Sequence, residues 1–514
     1  MGTRMFAAID VGSYELNMKI FEFSSSNQMK QVDAIRYRLD LGTDTFSSGK
    51  ISADKKNELC KVLREFADIM KSYRITNYKA YGTSAIRETE NTKILLDQIE
   101  QRTGIQIEVL SNSEQRFLDY KSMASKGEDF DKIIEKGTAI VDIGGGSIQI
   151  SLFDKDKLVT TQNMKLGVLR LQENLQQLSA KPSKIEMLLD EMIGAQLTVF
   201  EKLYLKDRLI ENIIVVDDYV SVLLQNKKMG SMNPGYMETG EYEELVKKMK
   251  TDSPEWFKKH FQVSEENLSL LYISAILIRK AVKMMDAKLI WAPGVTLCDG
   301  IAYEFGEKKK LITCKHDFED DIIACALNIS KRYLGNRKRS EKLENIALIV
   351  FDSMKKIHGL TKRDRLLLRI ATILYDCGKY ISLYNLGICS YKIIMATEII
   401  GLSHEEREIV ANIVKFNHLE FEYYTQMARE TVIDVNTYMR ITKLTAILRV
   451  ANGLNRSQKQ KFNEISARLH ENELIITVFT DEDITLEKGL FDKSADFFEE
   501  IFSIHPIIKQ KKNL

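Results

Sequence analysis

The amino-acid sequence predicts an α/β N-terminal half, followed by a mostly α-helical C-terminal half that ends in a small α+β segment. Strand and helix patterns alternate through the first part of the chain, which is typical of α/β folds. Between about residues 315 and 455 the pattern is almost wholly helical. Strand character returns in ELIITVFTDEDITLEKG, residues 473–489.

The first α/β segment begins with two strand patterns joined by a short turn. RMFAAIDVGS (4–13) predicts a strand and turn, and YELNMKIFEF (14–23) alternates apolar and polar residues as a half-buried strand does. The patterns that follow predict a serine-capped helix (52–73), a strand and loop (78–91), a helix closed by glycine (92–104) and a strand (105–111).

A second strand-turn-strand pattern, AIVDIGGGSIQISLF (139–153), repeats the first one. Residues 10–21 and 142–153 align without a gap, so that Asp10 meets Asp142. The apolar positions alternate in the same phase, which predicts that the same strand face is buried in both. We interpret the pair as a duplicated domain; the alternative is a chance resemblance between two short hairpins.

Two such turns, facing each other across a cleft, would bind a chain of phosphates from both sides. Glycine lets backbone N–H groups approach an anion because no Cβ blocks them. Asp10 and Asp142, one at each strand end, are predicted to hold Mg²⁺ directly or through water. The predicted phosphate-binding residues of the turns are Gly12, Ser13, Gly144, Gly145, Gly146 and Ser147.

Charge and composition limit the classes of function. The 514 residues include 74 Lys+Arg and 73 Asp+Glu, a formal net charge of +1, so no global field favours nucleic acid or acidic lipid. No apolar run reaches the ~18 residues that a membrane span needs. The N-terminus has no signal-peptide pattern, and the six cysteines form no CxxC pair, so we predict a cytoplasmic protein with reduced thiols.

Five motifs stand in order along the first 171 residues: DVGS (10–13), YGTSAIRETEN (81–91), VLSNSEQRFLDY (109–120), VDIGGGSIQI (141–150) and KLGVLRL (165–171). Together they resemble the Ppx/GppA family of exopolyphosphatases and guanosine pentaphosphate (pppGpp) phosphohydrolases, which has an actin-like, ribonuclease-H-type fold. The resemblance implies a Mg²⁺-assisted attack of water on a terminal phosphoanhydride of polyphosphate or pppGpp, and a homodimer. It also implies that Thr83, Ser84 and Arg87 bind phosphate.

Both glutamates that the resemblance assigns to catalysis are amides in this chain. Gln115 stands at the catalytic position, and Gln149 stands where the second active-site glutamate would be. Glutamine can orient a water but cannot take its proton, and a general base contributes roughly 10²–10⁴-fold to a rate. Glu114 is a candidate replacement, although neighbouring helical residues point about 100° apart. Glu15, in the first turn, is the other candidate, and we favour its interpretation as a solvent-facing charge.

The helical C-terminal part resembles an HD-type domain that has lost its metal ligands. Tyr375 replaces the histidine before Asp376, Arg339 lies where a first histidine would be, and Asn417 stands at a later histidine position. We therefore predict no working metal centre there. The basic stretch KRYLGNRKRSEK, which begins at Lys331, is either a groove for a long polyanion or a solvated turn.

Three functional hypotheses follow. The first is a weak exopolyphosphatase or pppGpp phosphohydrolase, and the second is a non-catalytic polyphosphate or (p)ppGpp sensor. The third, an actin-like sugar kinase or ATPase, is the weakest, because the second and third motifs match the phosphatases. The predicted domains are an actin-like domain I (1–126), an actin-like domain II (127–311), a helical HD-like domain (312–460) and a small α+β segment (461–514).

Overall fold

The computed structural model of the chain forms two compact units, Met1–Phe318 and Glu319–Leu514. The finer division into four domains stays a prediction. The described residues are 4–24, 28–155, 157–217, 219–225, 235–251, 265–313, 316–430, 433–457, 461–462 and 464–512.

The first unit begins with a five-stranded sheet in the order β3-β2-β1-β4-β5. Its first three strands form an antiparallel meander, and β4 and β5 run parallel to β1. The strands are β1 (Arg4–Val11), β2 (Glu15–Phe23), β3 (Met29–Arg38), β4 (Tyr78–Gly82) and β5 (Ile107–Val109). The helices are α1 (Leu41–Ser48), α2 (Ala53–Ser72), α3 (Ser84–Glu88), α4 (Thr92–Thr103) and α5 (Asn112–Ala124).

A six-stranded sheet, in the order β10-β11-β9-β6-β7-β8, follows in the same unit. The strands are β6 (Thr138–Ile143), β7 (Ile148–Asp154), β8 (Lys157–Met164), β9 (Asn212–Asp217), β10 (Tyr236–Glu238) and β11 (Leu289–Trp291). The helices are α6 (Glu128–Ile134), α7 (Val168–Gln177), α8 (Ile185–Phe200), α9 (Val220–Leu224), α10 (Thr239–Thr251), α11 (Glu265–Met285) and α12 (Leu297–Lys308).

The two sheets share one topology, which confirms the predicted duplication. In each, an antiparallel meander of three strands continues into strands parallel to the first one, so β6, β7, β8, β9 and β11 repeat β1 to β5. This is the predicted actin-like arrangement. The sequence analysis did not identify β3, the short helix α3 within the predicted loop, or α6 within the charged stretch at 125–137.

Helix α12 follows the second sheet in the chain but packs on the first sheet, in close contact with α5. Helix α12 packs on α5, and a Cβ built on Gly300 would lie 1.9 Å from the carbonyl oxygen of Leu118. Because that oxygen belongs to the backbone, no side-chain rotation can relieve the clash. Glycine at position 300 therefore sets the distance between these two helices.

Gly300→Ala should lower the free energy of unfolding by about 1–3 kcal/mol, because the extra methyl group forces the two helices apart. Gly194→Ala in α8 is the matched control, since a Cβ there meets no atom within 4 Å. The control should stabilise the protein by up to about 1 kcal/mol, as alanine replaces glycine inside a helix. Chemical denaturation of both variants tests the contact, and equal effects would contradict it.

The second unit is helical and ends in a small sheet, as predicted. Its helices are α13 (Phe318–Arg332), α14 (Arg337–Ser353), α15 (Lys362–Leu374), α16 (Leu386–Ala396), α17 (His404–His418), α18 (Tyr424–Glu430), α19 (Val435–Leu454) and α20 (Thr485–Phe502). A three-stranded sheet comprises β12 (Glu464–His470), β13 (Glu473–Phe479) and β14 (His505–Lys511). In the described part of the chain, no helix has both the length and the hydropathy to cross a bilayer.

Candidate active site

The two aligned turns have the same hydrogen-bonded geometry. The amide of Gly12 donates to the carbonyl of Glu15 at 3.0 Å, and the amide of Gly144 donates to the carbonyl of Ser147 at 2.9 Å. Glu15 thus occupies in the first turn the place of Ser147 in the second. The preceding aspartates are equivalent too, because Asp10 pairs across the strands with Asn17, and Asp142 pairs with Gln149.

The first turn is fixed by the loop that carries the second motif. The Ser13 and Ser84 hydroxyl oxygens lie 2.7 Å apart, and the Ala85 amide donates to the Ser13 hydroxyl at 3.2 Å. The Thr83 amide donates to the carbonyl of Val11 at 3.2 Å. These bonds bring the predicted phosphate-binding residues of both motifs to the end of β1.

The second turn packs directly on the start of α7. The amides of Val168 and Leu169 donate to the carbonyls of Gly144 and Gly145 at 3.1 and 3.0 Å. A Cβ on Gly167, the residue before the helix, would lie 2.2 Å from the Gly145 carbonyl oxygen. The KLGVLRL motif therefore supports the glycine turn from behind, and only glycine fits at its contact point.

A cleft of about 100 Å³ separates the two turns. It is lined from both halves of the duplicated unit, which places the two aligned aspartates at one site. Ten of the predicted site residues line it: Asp10, Gly12, Ser13, Thr83, Ser84, Gln115, Asp142, Gly144, Gly145 and Ser147.

Four predicted residues lie beside the cleft without lining it. Arg87 donates from Nη1 to the Leu110 carbonyl at 2.7 Å and to Gln115 Oε1 at 3.4 Å, so it supports Gln115. Gly146 packs against Ser84, where a Cβ would come within 3.3 Å of its hydroxyl oxygen. Gln149 is buried on β7, and its Oε1 has no hydrogen-bond partner.

Glu114, the fourth of these, is used as a helix cap. Ser111 and Glu114 form a capping box at the start of α5, in which Glu114 Oε2 accepts from the Ser111 amide at 3.0 Å. The same carboxylate cannot reach into the cleft while this bond is present. A catalytic role for Glu114 stays a prediction that requires the cap to open.

Glu15 faces the cleft, contrary to the favoured interpretation as a solvent-facing charge. Its side chain is 18% exposed, and the Asn17 amide donates to its Oε1 at 3.1 Å. Asn17 Nδ2 also donates to Asp10. One buried amide therefore holds two carboxylates, Asp10 and Glu15, side by side on the first wall.

Two further carboxylates line the cleft that were not among the predicted site residues. Asp119 follows Gln115 by one turn of α5 and shares a hydrogen bond with Asp142. Asp217 ends β9 and accepts from the amides of Val220 and Ser221 at 2.8 and 2.7 Å. Helical spacing from Gln115 was the available signal for Asp119, and the position at a parallel strand end was the signal for Asp217.

This crowding makes the two aligned aspartates weak acids. Burial, then the negative charges of Glu15 and Asp142, raise the pKa of Asp10 to about 7. Burial raises the pKa of Asp142 to about 6, although the hydrogen bond with Asp119 opposes the shift. Near pH 7 Asp10 is therefore partly protonated, and a bound cation would displace its proton.

The donor set suits Mg²⁺. Asp10 Oδ1 is buried without a hydrogen-bond partner, and Asp142 supplies a second hard oxygen ligand. Among the described residues, no three His, Cys, Asp or Glu side chains form a protein-only metal site. Mg²⁺ commonly takes one or two carboxylates and completes its shell with water and substrate phosphate. Asp10 and Asp142 therefore fit a Mg²⁺ ion of the kind that the family resemblance implies, with two protein carboxylates as ligands.

Curated relatives carry two kinds of name. A 199-residue match to "Exopolyphosphatase 1" of Mycobacterium leprae is 27% identical and covers 38% of this chain and 57% of that protein. The chain covers 46% of the same-named protein of Mycobacterium tuberculosis, at 26% identity over 164 residues. It thus spans about half the length of these relatives. "Guanosine-5′-triphosphate,3′-diphosphate pyrophosphatase" of Vibrio vulnificus is 21% identical, over 86% of this chain and 85% of that one.

Solved structures and family models agree with the fold. An exopolyphosphatase-like protein aligns with TM-score 0.52 at 18% identity, over 60% of this chain and all of that one. The Aquifex aeolicus Ppx/GppA family member aligns with TM-score 0.50 at 18% identity, over 62% and 100%. The family model of the Ppx/GppA phosphatases matches residues 20–309, and that of their domain III matches residues 323–496. This chain is a member of the Ppx/GppA phosphatase family.

Proposed function

We propose that the cleft binds the terminal phosphates of inorganic polyphosphate or pppGpp and hydrolyses their terminal phosphoanhydride slowly. The observation that carries the proposal is the matched pair of turns, with an aspartate behind each and an amide at both family glutamate positions. The paired turns favour phosphate binding. The two amides remove the family's proton acceptors and so favour a low rate.

Backbone amides would supply much of the binding. The Gly12 and Gly144 amides close their own turns, whereas those of Ser13 and Gly145 donate to no protein acceptor among the described residues. They are therefore available to phosphate oxygens, one on each wall. Asp10 and Asp142 would hold Mg²⁺, which supplies positive charge against the phosphate oxygens when bound.

Because Gln115 cannot accept a proton, another side chain must take the proton of the attacking water, and Glu15 is the candidate. Gln115 can accept a hydrogen bond from a water and orient it, with its own Oε1 held by Arg87 at 3.4 Å. Glu15 is a cleft carboxylate in reach of the same cavity and is positioned by Asn17. We assign it the role of accepting the proton of the attacking water at a carboxylate oxygen.

The second candidate function is a non-catalytic sensor of polyphosphate or (p)ppGpp, and the same two amides favour it. Neutral side chains at positions 115 and 149 reduce the repulsion of a polyanion, which strengthens binding without hydrolysis. The homodimer and the cytoplasmic location that the sequence predicts are part of either proposal. An actin-like sugar kinase or ATPase remains the third alternative.

Phosphate release and binding, measured on the full chain, distinguish these functions. With Mg²⁺ and either long-chain polyphosphate or pppGpp, the wild type should release phosphate slowly, and Glu15→Gln should be slower by about 10²-fold or more. Glu22→Gln, at the other end of β2, is the matched control and should match the wild type. Binding without release identifies the sensor, and transfer of phosphate from ATP to a sugar overturns both proposals.

A further inference from the structure

The second unit contains a polar cluster where the HD-type metal ligands would lie. We define the Arg339 cluster as Arg339, Tyr375, Asp376, Lys379 and Arg456. Arg339 enters from the first turn of α14, the Tyr375–Asp376 pair follows α15, and Arg456 follows α19.

Short contacts bring these segments together. Arg339 Nη2 donates to the Asn455 carbonyl at 3.1 Å, and Asn455 Nδ2 donates back to the Arg339 carbonyl at 3.1 Å. Asn455 immediately precedes Arg456. Lys379 Nζ lies 3.1 Å from Asp376 Oδ2 and 5.6 Å from the centre of the Tyr375 ring.

The side chains of the Arg339 cluster suit an anion and do not suit a metal ion. Three cationic side chains face one carboxylate, and within the described part of the chain no trio of metal-ligating side chains forms. The positive charge of Arg339, after burial itself, lowers the pKa of Arg456, so the two guanidinium groups lie close enough to repel. A bound anion would relieve this repulsion.

Buried polar atoms of the Arg339 cluster lack partners. Tyr375 is 2% exposed, and its hydroxyl makes no hydrogen bond of normal geometry, although it faces Asp376. Arg339 Nε and Asp376 Oδ1 are also buried without a partner. An unsatisfied buried polar atom typically costs about 1–3 kcal/mol. A phosphate in its monohydrogen form would accept hydrogen bonds from both donors and donate its own to Asp376 Oδ1.

The basic stretch of the sequence adjoins this cluster. Tyr333 makes an edge contact with Tyr380, whose ring centre lies 5.6 Å away, and Tyr380 follows Lys379. Lys331 and Lys338 are exposed on either side of Tyr333 along the chain. Further positive charge is thus available where a long phosphate chain would leave the Arg339 cluster.

We propose that the Arg339 cluster is a second phosphate-binding site, which takes one phosphate group of an inorganic polyphosphate or of a nucleotide. Arg339 Nε and the Tyr375 hydroxyl donate to its oxygens, and Arg456 and Lys379 balance its charge. The competing occupant is a buried water, which would satisfy the same donors but carries no charge. This site is independent of hydrolysis in the cleft.

Calorimetric titration of the full chain with tripolyphosphate in EDTA tests the site. Without Mg²⁺ the cleft carboxylates repel a polyanion, so binding should report the Arg339 cluster. Arg456→Gln should weaken binding by about tenfold or more, because a positive charge beside the phosphate is lost. Lys493→Gln, an exposed lysine on α20, removes the same charge and should change affinity less than about twofold.

Tyr375→Phe distinguishes a specific phosphate site from non-specific electrostatic attraction, because it removes one hydroxyl group and no charge. It should weaken tripolyphosphate binding while the melting temperature stays at or above that of the wild type. Tighter binding of guanosine tetraphosphate than of tripolyphosphate identifies a nucleotide, and the reverse order identifies polyphosphate. The proposal fails if wild type binds neither, or if Arg456→Gln and Lys493→Gln weaken binding equally.

Discussion

Gln115→Glu/Gln149→Glu should raise Mg²⁺-dependent phosphate release from polyphosphate or pppGpp by about 10²- to 10⁴-fold. The double substitution returns a proton acceptor to the cleft at the two positions where the family carries glutamate. At position 115 the new carboxylate would lie beside Arg87, whose Nη1 is already 3.4 Å from Gln115 Oε1, so its charge is compensated. Steady-state release with each substrate measures the gain.

The single substitutions should differ. Gln115→Glu should retain normal stability, whereas Gln149→Glu places a buried charge beside Asp142, its cross-strand partner, and should lower the melting temperature above pH 6. Gln101→Glu, exposed on α4, is the control for added charge and should leave the rate unchanged. A double variant that binds substrate but gains no activity would show that more than the two acids is missing.

Asp10→Asn should stabilise the ligand-free protein by about 2–3 kcal/mol more at pH 8 than at pH 5. The pKa of Asp10 is about 7 in the folded protein, against an ordinary 3.8, so the folded state holds a proton that the unfolded chain releases. Stability therefore falls as the pH rises through this window, and the asparagine variant escapes the loss. Denaturation in EDTA at the two pH values measures the difference.

Asp97→Asn is the matched control for that experiment, since Asp97 is exposed on α4. Its effect should be the same at both pH values. Equal effects of Asp10→Asn at pH 5 and pH 8 would mean that Asp10 is already ionised at the lower pH. Addition of Mg²⁺ should reduce the difference between the effects of Asp10→Asn at pH 8 and pH 5, because the ion takes the place of the proton on Asp10.

The sequence predicted the fold class because its strongest signal is repeated. The two aligned hairpins share the phase of their apolar residues, and the structure gives both the same glycine turn closure and the same aspartate–amide pairing. Seven of the ten predicted residues that line the cleft lie in these two hairpins, and the other three come from the motifs at 81–91 and 109–120. Strand β3 was not predicted from the sequence, because most of its residues are exposed and the alternation of apolar and polar residues is weak.

The positions of Glu15 and Arg87 depend on contacts that local patterns do not encode. Glu15 looks like a surface charge in its hairpin, whereas in the structure it lines the cleft and accepts a hydrogen bond from the Asn17 side-chain amide. Glu114 could have been placed from the sequence, because Ser111 three residues earlier completes a capping-box pattern. Arg87 supports Gln115 from outside the cleft, and its position follows from its hydrogen bond to the Leu110 carbonyl, between β5 and α5.

The backbone contact at Gly167 joins the second glycine turn and helix α7 into one rigid element. Two carbonyls of the turn accept from the first amides of α7, and no side chain separates the two segments. A ligand that shifts the turn must carry the helix with it, since sliding would break both bonds together. We therefore expect that a ligand which displaces the glycine turn also displaces α7.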